Sequence, residues 1–132
     1  MPLRISLKAN ERLIVGGAVV RNGSSRADLL IENDVPILRG KEVMSLDEAG
    51  SPCRRIYFAI QLMYIDDKNV AELQQLYWQL VHDVLEASPS MAPFVTDISS
   101  RIADGKFYQA LKVARKLIAY EGELIRHAAA RS

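Results

Sequence analysis

Arginine and lysine are the residues whose types and spacing could do chemistry on a partner. Residues 1–44 hold seven basic side chains, Arg4, Lys8, Arg12, Arg21, Arg26, Arg39 and Lys41, against five acids, Glu11, Asp28, Glu32, Asp34 and Glu42; seven minus five leaves a local balance of +2, dominated by arginine. A guanidinium is a planar fork that can hold a phosphate at two points and stack on a base. The chemistry this suggests is binding of RNA, not bond-making. A solvated strand face is the plainer reading of the composition by itself, and both readings stay open.

Arg54 and Arg55 pose a sharper question. They follow Ser51-Pro52, an N-cap with proline at the first helical position, so they fall in the first turn of a helix. That turn carries partial positive charge and free N–H groups, which disfavours cations and calls for an anion nearby. Asp47 or Glu48, just upstream, would be the internal partner. A phosphate held jointly by the helix start and both guanidinium groups would be the functional one.

Other chemistries lack their residues. His82 and His127 have no neighbouring His or Cys at metal-ligand spacing, so no metal site is expected. No GxxxxGK[ST], GxGxxG or GxSxG occurs, so neither a nucleotide cofactor nor a serine nucleophile is indicated. Asp66-Asp67 precedes a predicted helix and reads as an N-cap more readily than as a catalytic pair. Cys53 lies near a helix start beside Arg54 but has no histidine close in sequence, so a buried, inert thiol is expected. No catalytic residues and no cofactor are assigned, and an enzyme is not expected.

The elements that must position these residues fall into two kinds. Up to residue 44 the chain is rich in Val, Ile and Leu and is cut by Gly16-Gly17, Asn22-Gly23 and Asn33-Asp34, residue pairs that tolerate the positive φ of tight turns. Strands are predicted near residues 3–8, 11–15, 18–21, 26–32 and 35–39. In the first, Leu3, Ile5 and Leu7 alternate with Arg4, Ser6 and Lys8, giving one oily face and one basic face.

After residue 44 the period changes from two to 3.6. Ser45 and Glu48 have capping-box spacing, and helices are predicted over 52–65, 68–87, 91–103 and 106–127 from apolar recurrence at three- and four-residue steps. The fold class is therefore α+β: a small antiparallel five-stranded unit over residues 1–50, then a bundle of about four helices over residues 51–132, packed as one unit. The stretch from Ile56 to Ile65 is apolar all round, which motivates a homodimer sharing a core. It is half of the roughly 20 residues that span a bilayer, so no membrane partner is expected. With one cysteine, no apolar secretion signal at MPLRISLKANER and a formal net charge of +1, the expected compartment is the cytoplasm, and any polyanion site must be a local patch.

Two segments carry a resemblance. LKANERLIVGGAVVRNG, residues 7–23, and RRIYFAIQLMYI, residues 54–65, with a VPILRGKEVM strand between them in the same order and spacing, resemble the FlbT family of flagellar-biosynthesis regulators. The resemblance implies a post-transcriptional regulator that associates with the 5′ untranslated region of flagellin mRNA and lowers its translation or lifetime, often working opposite a small partner, FlaF. The β part is also loosely similar to the carbon-storage regulator CsrA, through Lys8 to Glu11, Val15-Gly16 and Arg39 to Glu42. That similarity implies an RNA surface combining the first and last strands, with Arg4, Ser6, Lys8, Arg39 and Lys41 as candidate contacts. Gly40 interrupts the basic run of the last strand, and the helices after Pro52 have no counterpart in the shorter regulator. The rival reading is a protein-interaction module binding FlaF or flagellin, with any effect on mRNA indirect.

Overall fold

A computed structural model describes residues 2–131 of the chain, the side chains of Asp67 and Arg131 excepted. It forms two compact units, Met1–Met44 and Ser45–Ser132.

The first unit is built from β1 (Leu3–Leu7), β2 (Arg12–Val15), β3 (Ala18–Arg21), β4 (Ala27–Ile31) and β5 (Ile37–Arg39). All pairings are antiparallel: β1 with β4, and β2 with both β3 and β5, so the strands divide into two small sheets. Alternation along β1 sends Ile5 and Leu7 into the core beside Leu13 of β2, and Val15, Leu29, Ile31 and Ile37 pack against them. Leu3, at the open end of the β1–β4 pair opposite Ile31, is exposed. Burying each core leucine or isoleucine contributes roughly 1.5–3 kcal/mol.

Gly16-Gly17 closes the β2–β3 hairpin between Val15 and Ala18, with Gly16 at φ +58°. Asn22 works differently from the expected turn former. Its φ is not positive; its side-chain amide donates to the carbonyls of Lys8 at 2.7 Å and Ser25 at 3.0 Å, stapling two loops together. Among the described residues the non-glycine with positive φ is Asn10, at 63°.

In the second unit, a 3-10 turn over Leu46–Glu48 has its capping box formed, with the Ser45 N–H donating to Glu48 Oε1 at 2.9 Å. Four helices follow: α1 (Pro52–Ile65), α2 (Val70–Ala87), α3 (Ala92–Ala103) and α4 (Phe107–Arg131). Asp66 accepts from the Lys68 N–H at 3.0 Å and caps the 3-10 turn that leads into α2, the role expected of it; the side chain of Asp67 lies outside the described residues. α1 packs between α2 and α4, and α3 lies on α4. Ile56 and Ile60 are fully buried within a single chain, so covering α1 does not of itself demand a second one.

Glu121 of α4 ties this bundle together. The residue is 8% exposed; its carboxylate accepts from Ser51 Oγ at 2.5 Å through one oxygen and from the Cys53 N–H at 3.1 Å through the other. Ser51 Oγ in turn accepts from the Arg54 N–H at 3.2 Å. The negative charge thus sits on the positive end of α1, and each carboxylate oxygen has a donor. Replacing Glu121 by alanine leaves the Cys53 N–H buried without an acceptor. We expect Glu121→Ala to destabilise the protein by about 1–3 kcal/mol, read as a lowered urea midpoint, with Glu121→Gln, which keeps one acceptor oxygen, losing less.

Candidate nucleic-acid interface

The sequence-assigned contacts lie on the first unit. Arg4 and Ser6 project from the same face of β1, where antiparallel register sets Asp28 opposite Ser6 and Leu30 opposite Arg4. Asp28 serves both: Ser6 Oγ donates to it at 2.6 Å and Arg4 Nη2 at 3.2 Å. Those two bonds, the Ser6 hydroxyl first, hold the Asp28 carboxyl below its ordinary pKa. The face is therefore mixed rather than basic, although the Arg4 side chain keeps 75% of its surface exposed, enough to reach a phosphate.

Arg39, at the end of β5, donates through its guanidinium to the Ser6 carbonyl, 33 residues away, and its Nε lies 3.5 Å from Glu11 Oε2. A side chain, rather than a backbone ladder, thus joins β5 to β1. Glu11 also accepts from the Lys8 N–H at 2.9 Å; that bond first, and Arg39 after it, lowers its pKa. Gly40 follows at φ +54°, and a Cβ there would stand 2.9 Å from the Glu11 carboxylate, so the glycine that breaks the basic run also makes room for the acid binding Arg39. Lys8, just past β1, and Lys41, in the 3-10 turn Gly40–Glu42, are exposed. The fold thus gathers Ser6, Arg39 and Glu11 into one network, with Arg4 bonded to the same Asp28 as Ser6. The Arg12 guanidinium donates to the Val43 carbonyl at 3.3 Å.

At the start of α1 the anion on the helix is Glu121, reaching in from 68 residues away, while Glu48, one of the two upstream acids considered for that place, accepts from the N–H and hydroxyl of Ser45. Arg54 and Arg55 stay exposed, and among the described residues neither makes an ion pair. Cys53 is fully buried with Met91 Sδ 3.6 Å from its sulfur. Burial first, and then the Glu121 carboxylate, push its thiol up to about 12, the reverse of an activated nucleophile. Among the described residues no group of three or more His, Cys, Asp or Glu could hold a metal ion.

A set of cations on α4 escapes a reading of the sequence that follows only the apolar side of this helix. Lys112, Arg115, Lys116 and Arg126 are all exposed, and Lys112 lies 5.0 Å over the Tyr108 ring. The signal is present as K-x-x-R-K with tyrosine four residues before the first lysine, which puts all of them on adjoining helical rows.

An antiparallel β unit carrying a mixed basic face is followed by a bundle of four helices. The chain belongs to the FlbT family: the family model described as "Flagellar protein FlbT" matches residues 3–125. It is 43% identical over 125 residues to the probable flagellum biosynthesis repressor protein FlbT 1 of Bradyrhizobium diazoefficiens, covering 94% of this chain and 85% of the relative. It is 38% identical to the probable flagellum biosynthesis repressor protein FlbT of Rhodopseudomonas palustris, covering 95% and 98%. It is 33% identical to the flagellum biosynthesis repressor protein FlbT of Caulobacter vibrioides, covering 96% and 92%. No solved structure matches the chain.

Two measurements check this geometry. Glu11 and Asp28 have lowered carboxyl pKa values, so the stability they contribute is present above the ordinary carboxylate range and is lost as pH falls through their folded values. In carboxyl-detected NMR titrations, Arg39→Gln should raise the Glu11 midpoint only part of the way back, because the Lys8 N–H remains, and should leave Asp28 unmoved. Cys53 should resist a thiol reagent such as DTNB at pH 8 in the native protein and react at the rate of a free thiol once the protein is unfolded in urea.

Proposed function

We propose that the chain is a post-transcriptional repressor of flagellum biogenesis, working in the cytoplasm, that binds the 5′ untranslated region of flagellin mRNA and lowers its translation or lifetime. The repressor names of the relatives support the regulatory half of this reading. The observation that carries the RNA half is the bond from Arg39 to the Ser6 carbonyl, which draws the basic ends of β1 and β5 together across 33 residues of sequence. Arg4, Ser6, Lys8, Arg39 and Lys41 then supply phosphate contacts, with arginine able to stack on unpaired bases. Occupying the leader would exclude the ribosome or expose the transcript to nucleases. The protein would not cleave RNA itself.

A second reading has one observation in its favour. Leu76 and Trp78 of α2 are 48% and 54% exposed, a surface suited to another protein, such as a FlaF-like partner or flagellin.

The test is binding of purified protein to a labelled flagellin leader across a salt series, with Arg4→Glu and Lys41→Glu beside the wild type. Affinity should fall with salt, and each charge reversal should weaken binding about tenfold or more. The slope of log K against log salt should shrink by about 0.7 for each phosphate that the variant no longer neutralises. Affinity indifferent to salt and to both substitutions removes this surface. A stable complex with purified FlaF-like protein or flagellin, with no RNA shift, decides for the second reading.

A further inference from the structure

We propose that the helical unit carries its own single-stranded RNA track along the α1–α4 seam, formed by Lys112, Lys116 and Arg126 of α4 with Arg54 of α1 and the tyrosines between them. The proposal rests on the RNA reading above and adds a surface that reading does not use.

The alignment of the two helices makes the track. Cys53 meets Glu121, Arg115 Nη2 donates to Tyr57 Oη at 3.3 Å, and the rings of Tyr64 and Tyr108 lie 5.9 Å apart. As residue numbers rise along α1 they fall along α4, so the helices run antiparallel. Arg54, Tyr57, Gln61 and Tyr64 recur at three- and four-residue steps and form one row of α1. That row borders the row of α4 holding Tyr108, Lys112, Arg115 and Arg126. Arg54, beside Cys53, therefore stands at the Glu121 end of the seam. Arg126 is exposed near that end, and its Nη1 lies back along the helix toward Gly122, 3.5 Å from where a Cβ there would stand.

Charge along this track is unbalanced. Exposed helices ordinarily pair cations with acids three or four residues away, yet Lys112 and Lys116 have none at those spacings and face each other at i,i+4, where like charges repel. Among the described residues Lys112, Lys116, Arg126 and Arg54 form no ion pair. Of the two acids on α4, Glu121 is buried on the α1 N-terminus and Glu123 alone is exposed. A helix that accepts such repulsion in the free protein is relieved when a polyanion supplies the missing charge.

Aromatic rings make single-stranded RNA the partner rather than a duplex. Tyr64 and Tyr108 are half-buried, held by their own contact, and Tyr108 already carries Lys112 over its ring. A ring fixed by packing beside phosphate-binding cations is the construction that stacks unpaired bases. From Lys112 to Arg126 the helix rises about 21 Å, room for several nucleotides.

The experiment is fluorescence anisotropy of the full-length protein with the labelled flagellin leader and with an unstructured oligo(U) probe. Lys112→Glu/Lys116→Glu should weaken binding to both by tenfold or more at low salt and shrink the salt slope by about 1.4, two phosphates at about 0.7 each. Tyr108→Leu, which keeps the apolar packing and removes the tyrosine ring, should weaken oligo(U) binding about fivefold with the salt slope unchanged. Melting temperatures within a few degrees of wild type verify that these variants are folded. Unchanged affinity in the folded lysine pair, with binding weakened about tenfold or more in Arg4→Glu and Lys41→Glu, overturns this track and leaves the β surface standing. Wild-type protein that binds neither probe overturns both readings, and binding to anionic phospholipid vesicles in place of RNA overturns this one.

Discussion

A single buried carboxylate sets the geometry of the helical unit. Glu121 answers the positive end of α1, and because it comes from α4 it fixes where along α4 that end must lie. Tyr57 then meets Arg115, and Tyr64 meets Tyr108, each a few residues further along the seam. Burying a charge is costly unless it is hydrogen-bonded, and here both oxygens have donors, so the arrangement specifies one register rather than a range of slipped ones. The same placement withdraws one of the two acids of α4 from its surface and adds to burial, the larger cause, in raising the Cys53 thiol.

The β unit solves a comparable problem with a different group. Five short strands could close into one sheet through backbone bonds, but the ladder stops between β1 and β5. Arg39 bridges that interval with its guanidinium on the Ser6 carbonyl and Glu11 at its side. Glu11 takes a position that a side chain at residue 40 would crowd, and its second oxygen caps the Lys8 turn. Arg39 and Ser6, which join the two sheets, are thus two of the residues that a resemblance in the strands singled out for RNA. In this protein architecture and candidate binding surface share atoms, so a change at Arg39 acts on both.

Charge distribution follows from these two devices. The whole chain is nearly neutral, which would argue against a polyanion partner if charge were spread evenly. Several acids are committed instead: Asp28 to Ser6 and Arg4, Glu11 to Lys8 and Arg39, and Glu121 to α1. Lys112, Lys116, Arg126, Arg54 and Arg55 have no such partner among the described residues. Local excess of positive charge therefore arises from how acids are used, not from how many there are.

The sequence by itself determined the α+β order, the five strands, the four helices and the family. Several boundaries are signalled within a few residues: Gly16-Gly17 at a hairpin, Ser51-Pro52 at a helix start, Ser45 with Glu48 in a capping box, a change of apolar period after residue 44. Short-range signals are readable because backbone preference and side-chain capping act between near neighbours. Tertiary structure alone decided which acid serves which cation. Glu121 was hidden 68 residues from the N–H it accepts, and Arg39 33 residues from its carbonyl, with nothing in either local sequence to mark the pair. Electrostatic partnership depends on distance in space and on which groups lose water, and both are settled only when the helices and strands pack.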